Sequence, residues 1–108
     1  MSSTNTNTTT TSDATAAAPK IPGDKTLQGA VKLAITEDKP ILMDYWSASI
    51  ESRAFVGARE NKEKLLVKSE EEYTSPIQKI YKVENDFIIM TENSIYLVSA
   101  AIPTRRIQ

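Results

Sequence analysis

Ile80-Tyr81-Lys82-Val83-Glu84-Asn85-Asp86-Phe87-Ile88-Ile89-Met90-Thr91-Glu92-Asn93-Ser94-Ile95-Tyr96-Leu97-Val98 is the stretch whose pattern decides the fold. Three apolar runs, 80–83, 87–90 and 95–98, are short and rich in β-branched and aromatic residues, as strands are. A polar Glu-Asn pair follows the first run and another precedes the third, where turns belong. Together they predict an antiparallel β-meander. The Ile-Tyr phrase occurs twice, at 80–81 and 95–96. Period-two alternation puts Tyr96 and Val98 on one face of their strand and Ile95 and Leu97 on the other.

Upstream, Lys64 to Lys68 (Lys-Leu-Leu-Val-Lys) and Arg53 to Arg59 predict two more strands. Gly57 within the latter marks a bulge or a close backbone approach. Ile41 to Trp46, apolar except for Asp44, predicts a well-covered strand, and Ser47-Ala48-Ser49 a loop. Before it, Leu27, Ala30, Val31, Ala34 and Ile35 recur at three- and four-residue spacing. That spacing predicts an amphipathic helix from about Lys25 to Thr36, capped by Asp24 and ended ahead of Pro40. Downstream, Ile102 to Ile107 predicts a tail with one edge pairing. The expected fold is mainly β (α+β): a small antiparallel meander or open six-stranded barrel with one N-terminal amphipathic helix.

The expected domain covers residues 24–108. Residues 1–23 form a Thr/Ser/Asn-rich arm with almost no large apolar side chains, so burial cannot offset the entropy of ordering it. A disordered arm is expected there. It has neither the charged start nor the apolar segment of a signal peptide. No run approaches the roughly 18 apolar residues of a membrane span. A soluble intracellular location, or a place within a larger particle, is the expectation.

Composition excludes more chemistry than it offers. The 108 residues contain no Cys and no His and carry a net charge of −1. Zinc, haem, iron–sulfur and thiol sites lack their usual ligands, and no cofactor is expected. Glu70-Glu71-Glu72 lacks the spacing and turn glycine of a calcium loop. Gly23, Gly29 and Gly57 are too scattered for a phosphate cradle. Asp44 stands alone as an acid in an apolar strand, and a general base without companions makes no catalytic constellation. No enzyme is expected.

Asp38-Lys39-Pro40-Ile41-Leu42-Met43-Asp44-Tyr45-Trp46-Ser47-Ala48-Ser49 resembles the strand that leads into the thioredoxin family's active site. There a similar Lys-Pro, apolar run, Asp, aromatic and Trp precede a Cys-x-x-Cys pair. The corresponding positions here lie around Ser49 to Ser52, and none is a cysteine. The redox activity that the resemblance implies therefore has no thiolate. Downstream, consecutive strand runs replace the helix–strand alternation of that fold.

Two functional expectations remain. The first is a non-catalytic protein-interaction or assembly module, such as a structural component of a virion or multi-subunit particle. Its partner is another protein or further copies of this chain, met through a strand edge or an exposed tyrosine face. Tyr81, Tyr96, Arg105 and Arg106 are the candidate contact residues. The alternative is a small barrel binding single-stranded nucleic acid, with Tyr45, Trp46, Tyr73, Tyr81, Phe87 and Tyr96 as stacking surfaces among Arg53, Arg59, Lys79, Lys82, Arg105 and Arg106. The balanced charge favours the first. Thr74-Ser75-Pro76 reads either as a proline-directed phosphorylation site or as a simple Pro turn.

Overall fold

The computed structural model describes residues 20–107. It is a β-rich α+β fold with helix α1 (Asp24–Glu37), strand β1 (Ile41–Leu42) and a short helix α2 (Trp46–Ile50). Strands β2 (Phe55–Ala58), β3 (Lys64–Val67), β4 (Ile77–Val83), β5 (Asp86–Thr91), β6 (Ile95–Ser99) and β7 (Thr104–Arg106) follow. The meander is present as β4–β5–β6, with all its pairings antiparallel.

The expected six strands become seven, in two open sheets rather than a barrel. The larger has the order β1-β6-β5-β4 and the smaller β3-β2-β7. Each takes one parallel partner from a distant segment: Ile41 lies opposite Ile95, and Val56 opposite Thr104. The tail therefore pairs as expected, but along β2. Alternation in the meander supplies two apolar faces. Ile89, Val98 and the half-buried Tyr96 pack against Val56 and Leu66 of the smaller sheet. Ile88, Met90, Ile95 and Leu97 pack against Ala30, with Leu27, Leu33 and Ala34 beside it on α1. The result is three layers, helix on sheet on sheet, with β5 and β6 buried on both faces.

The first run behaves differently from its expectation. After Leu42 the chain leaves the sheet: Met43 and Asp44 are exposed, and the expected loop at Ser47-Ala48-Ser49 is helical. Buried Tyr45 and Ala48 go to one apolar layer and Trp46 to the other, so α2 closes the β1 side of the molecule. The Ser49 hydroxyl donates to Trp46 O (2.6 Å) and accepts the Ser99 N–H (2.9 Å), which ties α2 to the end of β6.

Helix α1 is rotated from its expected stripe. Thr26 and Ala30 are buried, whereas Val31 (49 % exposed) and Ile35 (77 %) face outward. Two contacts set this rotation. At Gly29 a side chain's Cβ would stand 3.2 Å from Ile88 Cδ1, so the glycine lets the helix lie close on β5. At its start the helix is capped from the sheet. The N-cap is Gly23, which has no side chain to do the work, and not Asp24 as expected. Instead buried Asp86, the first residue of β5, accepts the Gly23 N–H (2.9 Å) and the Thr26 hydroxyl (2.7 Å) through Oδ2. Asp38 ends the helix in the left-handed region (φ 56°).

Residues 20–23, expected to belong to the arm, run against the domain. The Trp46 indole N–H donates to Lys20 O (2.9 Å), and Pro22 is buried. Residues 1–19 of the expected arm lie outside the described residues. Among the described residues no helix is long and apolar enough to cross a membrane.

Candidate interaction surface

The four candidate contact residues do not share a surface. Tyr81 and Tyr96 lie on opposite faces of the larger sheet, as their registers require: Tyr81 is opposite Ile88 and Tyr96 opposite Ile89. Tyr81 packs half-buried beside the helix layer and Tyr96 beside the inter-sheet layer. Arg105 and Arg106 are exposed on β7, in the other sheet. The Arg105 guanidinium sits 5.0 Å from the Phe55 ring centroid.

The Tyr96 ring meets buried Tyr45 edge to face, at 5.2 Å and 75°, a preferred aromatic geometry. Burial pushes the Tyr45 phenol up to about 12, helped by Tyr96 and by the Asp44 and Glu72 carboxylates. Burial raises Tyr96 as well. In an unfolded chain tyrosine ionises near 10. The neutral Tyr45 phenol thus contributes full stability below about pH 10, and the contribution is lost as pH rises to about 12. We expect the Tm of the wild type to fall more steeply between those pH values than that of Tyr45→Phe. Parallel melting profiles would show that phenol ionisation plays no part.

The aromatics form no stacking platform among the described residues. Tyr45 and Trp46 are buried, Tyr81, Phe87 and Tyr96 are half-buried and packed against the core, and Tyr73 alone is widely exposed (56 %). Asp44 is exposed in the turn after β1. Glu70, Glu71 and Glu72 are exposed, and among the described residues no three such groups gather into a metal site. Thr74 is buried with its hydroxyl occupied, accepting the Leu66 N–H and donating to Ser75 O, while Ser75 is exposed.

The outer edge of β4 stands open, as does the shorter edge at β7. β4 is the longest strand, and its sheet pairs it on one side only. The direction of its backbone groups follows from β5. The Thr91 N–H donates to Ser94 O at the β5–β6 turn, so the odd residues of β5 bond toward β6. Its even residues then bond toward β4, and Tyr81 and Val83, opposite Ile88 and Asp86, turn inward. Ile80 and Lys82 therefore turn their N–H and C=O groups outward.

The two-residue turn that starts this pairing holds Glu84 at φ 55°, as primed hairpin turns require. On the other side, Thr74 and Tyr73 cover β3: Thr74 N–H donates to Leu66 O, and Val67 bridges Tyr73. Between the β2–β3 hairpin and β4 runs a groove of about 560 Å³, lined by Lys62, Lys64, Pro76, Ile77, Lys79 and Ile80 among others. The sequence places Lys79 and Lys82 in a basic set, but only strand order makes β4 an edge.

No protein-family model, no curated protein and no solved structure matches this chain.

Proposed function

We propose that this domain is a non-catalytic interaction module that recognises an extended segment of a partner protein by adding it to β4 as a further strand. The observation that carries this reading is a long strand with one unpaired edge beside a groove in which Pro76, Ile77 and Ile80 lie among lysines. Main-chain pairing supplies affinity in this mode, and pockets for alternate side chains supply selectivity. Ile80, 39 % exposed, offers apolar surface at the centre of the edge. Tyr81 and Tyr96 become supports of the sheet on either face rather than contact residues.

Lys82→Pro tests the proposal. Lys82 is exposed, and its N–H faces outward, so proline removes a docking donor without removing a bond to β5. Peptides selected from a random library on the wild-type domain should lose binding to Lys82→Pro while its Tm stays within a few degrees. Selected peptides that bind both proteins equally would contradict the edge as the contact.

A further inference from the structure

The charges around the β4 edge specify what kind of strand fits there. Lys62 and Lys64 stand on the hairpin wall of the groove and Lys79 on the β4 wall, with Lys82 further along the strand. None of the four makes an ion pair among the described residues. Glu63, the acid lining the groove, is already engaged by Arg59 at 3.6 Å. The exposed edge is therefore locally basic on a chain whose net charge is −1. We infer that the segment accepted by β4 is acidic as well as extended, with carboxylates meeting these lysines and apolar residues covering Ile77 and Ile80. This inference rests on the edge-pairing function proposed above.

Lysines on an edge strand ordinarily serve to keep sheets apart, and here they do so selectively. Two copies of β4 paired antiparallel about Lys82, whose backbone groups face outward, would set that lysine against its own counterpart. Like charges directly opposite across a ladder destabilise it, so pairing with a second copy of this chain is disfavoured in that register. An acidic strand reverses the sign of the same contacts. Specificity thus comes from a repulsive element and an attractive one supplied by the same side chains.

Three short synthetic peptides decide the matter. They share one alternation of Val with a polar residue, which is Glu in the first, Gln in the second and Lys in the third. Binding is followed by backbone amide shifts in the full chain. The Glu peptide should perturb Ile80 and Lys82 and bind at least about tenfold more tightly than the Gln peptide, the equivalent of about 1.4 kcal/mol. Its advantage should shrink as salt is raised. In Lys79→Glu/Lys82→Glu the preference should shift toward the Lys peptide. Both positions are exposed, so the fold should tolerate the change.

If the Gln peptide binds β4 as well as the Glu peptide, the acidic partner is wrong and edge pairing stands. If no peptide perturbs the β4 amides, both are wrong. A single-stranded oligonucleotide that perturbs the same lysines more strongly than the Glu peptide would replace an acidic protein segment with nucleic acid as the occupant.

Discussion

Asp86→Ala is expected to destabilise the domain by about 2–4 kcal/mol, because it leaves the buried Thr26 hydroxyl and the half-buried Gly23 N–H without their acceptor rather than merely deleting a contact. One carboxylate oxygen accepts both the Gly23 N–H and the Thr26 hydroxyl. Asp86 is only 7 % exposed and Thr26 fully buried, so water cannot readily take its place. Hydrogen bonds to a charged acceptor are worth roughly 1.5–3 kcal/mol each. The start of α1 has no side-chain cap of its own, so the helix loses its N-terminal capping at the same stroke. For a domain of this size the Tm should fall by roughly 10–20 °C. Asp86→Asn keeps an acceptor oxygen and should recover at least half of the loss. If thermal melts place Asn no higher than Ala, the charge itself matters more than the geometry. If Ala is within a degree or two of wild type, the cap is not stabilising.

Ile89→Ala should cost a similar amount, about 3–4 kcal/mol, by a different route. Ile89 is fully buried between the two sheets, where it packs in one cluster with Val56, Leu66 and Val98. Truncation removes apolar burial and leaves a cavity that two hydrogen-bonded sheets cannot readily close. Against a total stability of roughly 5–10 kcal/mol, either substitution would leave a marginal fold. Ile89→Val should cost only about 1 kcal/mol. Urea melts of the three proteins check this order, and a Val variant as damaged as Ala would point to backbone disruption instead of lost packing.

The meander was legible because its information is local. Alternation assigns Tyr96 and Val98 to one face and Ile95 and Leu97 to the other, and the two apolar layers divide them that way. The second sheet was legible only as strands. Its β2–β7 pairing joins segments nearly fifty residues apart in parallel, and no local pattern specifies such a partner. The 41–46 run was over-read because apolar residues serve a strand and a buried turn equally well: Tyr45 and Trp46 are buried, but in the turn and helix that follow β1. The helix stripe was misplaced because Val31 and Ile35 fit the period, while Thr26, a polar residue, is buried by its bond to Asp86.

The candidate surface followed the same division. Both tyrosines could be assigned to faces, but which of those faces are covered depends on the helix and the second sheet. Lys79 and Lys82 stood in the basic set, yet their meaning comes from strand order, a property of the assembled fold. Asp86 carried a faint signal. It is an acid immediately after a turn and before a wholly apolar run, a place where a side chain has a structural task if it is to be buried.

The free edge of β4 is the claim on which the functional account stands, and amide hydrogen exchange of the chain alone tests it directly. Tyr81 and Val83, bonded to β5, should exchange slowly, while Ile80 and Lys82 between them should exchange fast. Uniform slow exchange through all four would mean that the edge is already covered, and would contradict the account.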